Sequence, residues 1–214
     1  MEKYISKKEK ASYGFAAVGS YMVAGITQSY LMYFFTDILI ILSAFVMMLM
    51  IVARVWDALN DPMMGVIVDR TSTKYGKMRP YVLVGSFLML FTTIVLFVPL
   101  TGAPTMFKMI FAAVSYIVFG MAYTLTDVPA MGLMSVATPN SDERASLLSF
   151  YVTVGSVGSL LPVGLLTIFQ SFIPEKYVYF AMSIFVGIIT SAAYLTLFKN
   201  SKERFSTHTE KIAV

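Results

Sequence analysis

Long apolar runs separated by short polar breaks divide the chain into six segments. They cover residues 12–36, 38–67, 81–101, 106–134, 146–171 and 177–198. At 1.5 Å per residue, each suits a hydrocarbon core about 30 Å thick. Three of the breaks carry turn residues: Thr101-Gly102-Ala103-Pro104, Pro139-Asn140-Ser141-Asp142 and Ile173-Pro174-Glu175. The break at 68–80 is a basic loop. The pattern predicts an all-α membrane protein. A polar N-terminus (1–11) precedes a bundle of six transmembrane helices (12–198), and a polar tail (199–214) follows.

The second segment breaks its own pattern. Arg54, Asp57 and Asp61 lie inside it, with Asn60 beside them. At 100° per residue the three charges fall at about 0°, −60° and −20°, on one face of a helix. A charge at the bilayer centre costs about 2.5–3.5 kcal/mol, so this face must look into a bundle interior or a water-filled cavity. Two acids against one base leave a negative pocket suited to a small cation. The alternative is a structural Arg–Asp pair holding helices together. The fourth segment carries Asp127, with Gly120 and Thr124 at i−7 and i−3 on the same stripe. Pro129 lacks a donor and frees a carbonyl near Leu125, either as a ligand for a midplane site or as a packing kink. The first segment has no acid. Its polar stripe is Tyr21, Gly25 and Gln28, and Tyr21 either stacks on a sugar ring or packs. Gly155, Ser156, Gly158 and Ser159 in the fifth segment permit close helix packing.

Composition narrows the function. The 214 residues are 57% hydrophobic and 13% charged, against about 25% charged in a soluble domain. There is no cysteine, and the one histidine, His208, is in the tail. Thiolate and intramembrane-histidine chemistry are therefore excluded. Paired acids could serve an intramembrane aspartyl protease, but its Tyr-Asp and Gly-x-Gly-Asp settings do not occur. The net charge of +4 reads as topology rather than as a nucleic-acid footprint. With six spans, Lys3, Lys7, Lys8, Lys10, Arg70, Lys74, Lys77, Arg79, Arg144, Lys199, Lys202, Arg204 and Lys211 fall on one side, and Lys108 and Lys176 on the other. The positive-inside rule places both termini in the cytoplasm of a multi-pass protein of the cell membrane. No cleavable signal peptide is expected, because the first apolar segment is too long.

The run Arg54-Val55-Trp56-Asp57-Ala58-Leu59-Asn60-Asp61-Pro62, with Gly65, Asp69-Arg70, Gly76-Lys77 and Arg79-Pro80, resembles the glycoside–pentoside–hexuronide:cation symporter family of the major facilitator superfamily. Ser12-Tyr13-Gly14-Phe15, Tyr33-Phe34-Phe35-Thr36-Asp37 and Gly120-Met121-Ala122-Tyr123-Thr124 with Asp127-Val128-Pro129 extend the resemblance over residues 10–200. It implies symport of a sugar with Na⁺, Li⁺ or H⁺, and no other cofactor. It places the cation site on Asp57, Asn60, Asp61 and Thr124, and a sugar contact on Asp127. Tyr21, Met131 and Val152 stand where the family has a carboxylate, a tryptophan and an arginine, so the sugar site is altered. Tyr21, Gln28 and Met131 are its expected walls here. Arg54, Gly65, Asp69, Arg70, Gly76, Lys77, Arg79 and Pro129 are the expected structural and gating positions. The loop from Asp69 to Arg79 is expected to latch onto another helix, or simply to anchor the topology. Family members have twelve helices, so the chain reads as the N-terminal half-bundle. Ser201-Lys202-Glu203-Arg204 then begins the loop to a second half, supplied by the same gene product, a separate chain or a homodimer. The rival is a truncated or regulatory half without transport of its own. A lysolipid is the alternative to a sugar as substrate.

Overall fold

The structure is a computed structural model that describes residues 4–205, all helical apart from turns and one isolated bridge. Lys3, His208, Lys211 and the end of the tail lie outside the described residues. The helices are α1 (Lys7–Tyr33), α2 (Ser43–Arg70), α3 (Arg79–Leu96), α4 (Thr105–Ala137), α5 (Ser141–Gln170) and α6 (Glu175–Asn200).

Local chemistry sets most of these boundaries. Ser6 caps α1 by accepting from the Glu9 N–H at 3.1 Å. Asn140 caps α5 by accepting from Asp142 at 2.9 Å. Pro104 and Pro174 precede α4 and α6, and Pro80 sits in the first turn of α3, where no donor is missed. Two boundaries depart from expectation. Helix α3 stops at Leu96 rather than at 101, because Pro99 disfavours helical backbone at the residue before it. The first helix continues as a π-helical turn, Phe34–Ile38, and the second begins only at Ser43. The connection between them carries Ile40 at φ 57°, a left-handed conformation that β-branched residues resist.

Five of the six helices, α2 to α6, are long and apolar enough to cross a membrane. Helix α1 falls short of that, so five apolar spans stand where six were expected. The physical reason is its position. It packs against both α5 and α6, and its small and polar residues Ser12, Gly14, Gly19, Ser20, Gly25 and Thr27 are buried among them. A helix shielded by protein on most sides does not need apolar side chains all round.

The principal contacts run α2–α4–α3–α6–α1–α5. This is a curved row whose two ends, α2 and α5, leave an open side. Both end helices expose most of their apolar residues, Ile51, Val55 and Leu59 on α2 and Val157, Leu160 and Leu161 on α5 among them. Helices α1 and α5 meet where glycine admits close approach. A methyl group at Gly25 would lie 2.7 Å from the Ser159 carbonyl oxygen, and one at Gly158 would lie 2.7 Å from that of Val18. Three proline residues, Pro62, Pro129 and Pro162, are carried inside helices without breaking them.

Candidate functional site

The open side of the row holds two cavities that meet at Asp127. The larger, about 640 Å³, lies between α1, α2 and α4 and is lined by Arg54, Asp57, Asp61, Thr124 and Asp127, with Gln28 at its edge. The smaller, about 370 Å³, lies between α1, α4 and α5 and is lined by Tyr21, Gln28, Tyr123, Met131, Tyr151 and Asp127.

Helical periodicity brings the α2 charges to the larger cavity as expected. The Thr124 hydroxyl donates to Asp61 Oδ1 at 2.8 Å, tying α4 to α2. Asp57 sits against the bare backbone of Gly120, where a methyl group would come within 3.1 Å of its Oδ1. Arg54 forms no ion pair with either acid. Among the described residues the one ion pair is Arg204–Glu9, far along the chain. The structural Arg–Asp pair is therefore absent from α2. Asn60 lies outside the lining of the cavity, and its Nδ2 is buried without a hydrogen-bond partner.

Around Asp127 the structure adds groups that sequence reading missed. Ser20 donates to Asp127 Oδ1 at 2.8 Å, Tyr194 at 3.2 Å and Tyr151 at 3.4 Å. Tyr123 bonds Ser20 at 3.1 Å. These side chains come from α1, α4, α5 and α6. Ser20 is the chain neighbour of Tyr21, where the polar stripe of α1 begins. Tyr194 sits in an apolar run and carries no periodic signal that points at Asp127.

The gating residues divide into two groups. Asp69 and Arg70, at the end of α2, are exposed and without side-chain partners among the described residues. Gly65 has open space beside it. In contrast, Gly76, Lys77 and Arg79 are held by the segment after α6. Glu203 accepts from the backbone N–H groups of Lys77, Met78 and Arg79 at 2.8, 2.9 and 3.0 Å. The Arg79 guanidinium donates to the Phe198 carbonyl at 2.7 Å and stacks on the Phe198 ring. Gly76 has φ 106°, which only glycine adopts readily, and this turn brings the chain against the Glu203 carboxylate. The same segment pairs Arg204 with Glu9 at 2.7 Å and hangs the Arg204 and Phe205 N–H groups on the Val136 carbonyl. The Glu9 carboxylate raises the Arg204 pKa through its hydrogen bonds. These contacts gather the α1 start, the α2–α3 loop, the α4 end and the α6 end at one pole of the bundle. The basic residues of that pole outnumber the two at the other, Lys108 and Lys176. Lys108 is buried there and donates to the Leu39 carbonyl at 2.9 Å.

Five helices long and apolar enough to cross a membrane, with acids and hydroxyls converging on cavities between them, mark a multi-pass membrane protein. The profile of the family described as MFS/sugar transport protein matches residues 12–213, and the chain belongs to this family. It is similar to the inner membrane symporter YicJ of Escherichia coli (strain K12), at 36% identity over 73% of this chain and 34% of that protein. The uncharacterized symporter YjmB of Bacillus subtilis (strain 168) is 32% identical over 95% of this chain and 45% of its own length. The isoprimeverose transporter of Lactiplantibacillus pentosus is 28% identical over 96% and 44%. The chain spans under half the length of these curated relatives. The resemblance to glycoside–pentoside–hexuronide:cation symporters thus holds over almost the whole chain.

Proposed function

We propose that the chain forms the first six-helix half of a sugar:cation symporter. In this reading Asp57, Asp61 and Thr124 bind Na⁺, Li⁺ or H⁺, and Asn60 joins them on rotating its side chain towards the cavity. Asp127, with Tyr21, Gln28 and Met131, faces the sugar. The observation that carries the reading is that one cavity is lined both by the Thr124–Asp61 pair, 2.8 Å apart, and by Asp127. A cation and a polar solute entering it would share a single water-filled space. Helix α1 crosses the membrane with the other five, its polar residues shielded by α5 and α6. A second six-helix half closes the open side between α2 and α5. The basic pole faces the cytoplasm.

The mechanism follows from charge. Two carboxylates in a closed cavity repel each other and lose hydration, so closing without a cation is costly. A bound cation offsets both effects and permits the halves to rock around the site. Asp127 then accepts hydrogen bonds from hydroxyl groups of the solute. Asp69 and Arg70, exposed and without side-chain partners among the described residues, are the latch groups for the second half, while Gly76, Lys77 and Arg79 serve the fold of this one.

Cation-dependent uptake of radiolabelled sugars by cells carrying the full gene product tests the reading, with Asp57→Cys beside it. The expected result is uptake that Na⁺ or H⁺ stimulates in the wild type and no longer stimulates in the variant. Full stimulation of Asp57→Cys by both ions would refute the cation assignment. The mass of the native polypeptide, from an immunoblot against residues 1–10, decides whether the second half lies on the same chain.

A further inference from the structure

The geometry points to Ser20, Tyr151 and Tyr194 as positioning residues that clamp one oxygen of Asp127 and present the other to the transported solute. The inference rests on the sugar-site reading of Asp127 given above. All three hydroxyl groups meet the same atom, Oδ1, at 2.8, 3.4 and 3.2 Å. No described side chain donates to Oδ2, and Asp127 lines both cavities. Oδ2 is therefore the oxygen left for a ligand.

The three donors are among the most buried groups of the bundle, with Ser20 and Tyr194 at 0% exposure and Tyr151 at 1%. Burying a hydroxyl is unfavourable unless it is paired, so three such groups aimed at one carboxylate oxygen make a built feature. They come from three other helices, α1, α5 and α6, which pack on one another, so that the carboxylate is fixed in direction as well as satisfied. The protons also have a fixed order. Ser20 has a single hydroxyl hydrogen, and it goes to Asp127. In the 3.1 Å bond between Ser20 and Tyr123, Tyr123 must then be the donor. Tyr123 itself lines both cavities, so the clamp begins and ends at the solute's space. Tyr151 in addition meets the ring of Tyr21 edge-on, with centroids 6.3 Å apart, which holds the expected sugar-stacking wall beside the acceptor.

A carboxylate held in this way is a directed acceptor for a solute hydroxyl. A carboxylate free to rotate would have to be ordered at each binding event, and that cost would appear in sugar affinity. The cation pair at Asp61 has its own donor, Thr124, and does not share the clamp.

Two measurements on Ser20→Ala, Tyr194→Phe and Tyr151→Phe, made in the full gene product in its own membrane, test the clamp. The first is uptake of radiolabelled isoprimeverose as a function of sugar and of Na⁺ or H⁺. Ser20→Ala, which removes the shortest bond, should raise the half-saturating sugar concentration about tenfold, with Tyr194→Phe next and Tyr151→Phe least. The half-saturating cation concentration should move less than about twofold. A merely structural role would move both constants or only the amount of folded protein. The second needs no transport: the rate at which dicyclohexylcarbodiimide labels Asp127, followed by peptide mass spectrometry. Removing donors from Oδ1 frees the carboxyl for the reagent, so labelling should accelerate in the order Ser20→Ala, Tyr194→Phe, Tyr151→Phe. Unchanged labelling in all three variants, or sugar and cation constants rising together, would overturn the clamp. Accelerated labelling in a protein whose wild type takes up no sugar with any cation would leave the clamp standing and sink the sugar reading alone.

Discussion

Replacing Glu203 by alanine removes the tie between the segment after α6 and the start of α3. Three backbone N–H groups, of Lys77, Met78 and Arg79, lose their acceptor together, at original distances of 2.8, 2.9 and 3.0 Å. A hydrogen bond to a charged acceptor contributes about 1.5–3 kcal/mol in a dry setting. Glu203 is only half-buried, so water takes over part of each bond, and about 1 kcal/mol for each is the better scale. The lost charge at a helix N-terminus adds about 0.3–1 kcal/mol. The expected loss is about 3–4 kcal/mol for Glu203→Ala and about half of that for Glu203→Gln, which keeps an acceptor oxygen without the charge. Gly76→Ala approaches the same contact from the other side. A side chain at φ 106° costs about 1–2 kcal/mol, and its Cβ collides with the Glu203 carboxylate. In the double variant the collision disappears, so its loss must be smaller than the sum of the two single losses. Chemical denaturation in detergent gives the global values, and amide hydrogen exchange at residues 76–79 gives the local one. Unchanged exchange at Lys77, Met78 and Arg79 in Glu203→Ala, together with strictly additive losses, would refute the reasoning.

Three further outcomes are expected. Thr124→Ala removes the donor to Asp61 and should raise the half-saturating cation concentration of uptake about tenfold, while Thr124→Ser restores it. Gly158→Val should force α1 and α5 apart, because its Cβ would lie 2.9 Å from the Val18 Cα; a stability loss of about 1–3 kcal/mol or more in detergent checks it, with Gly158→Ala milder. Lys108→Met should leave the Leu39 carbonyl without its donor, lowering stability by about 1–3 kcal/mol and speeding hydrogen exchange at residues 39–42, around the left-handed Ile40.

Apolar run length made the helices legible, because a bilayer accepts only segments that satisfy their own backbone over its whole thickness. Periodicity made the α2 face legible: Arg54, Asp57 and Asp61 share a cavity because 100° per residue leaves them nowhere else to go. The motif of α2 and α4 was specific enough to carry the family, and the family profile covers the chain from residue 12 to 213. Packing alone settled the rest. Helix α1 lost its apolar character because α5 and α6 shield it, and the order of helices in the bundle is not written in any one segment. The loop expected to latch onto another helix is tied at Lys77 and Arg79 to Glu203, just past the end of α6 and about 125 residues further along the chain, a partner that no local pattern names. Ser20, Tyr151 and Tyr194 stand 107, 24 and 67 residues from Asp127, and their hydroxyls look like ordinary helix-packing residues in the linear pattern. Local rules report which face a residue is on. Which side chain from another helix arrives there depends on crossing positions and glycine contacts, and these exist only once the bundle has assembled.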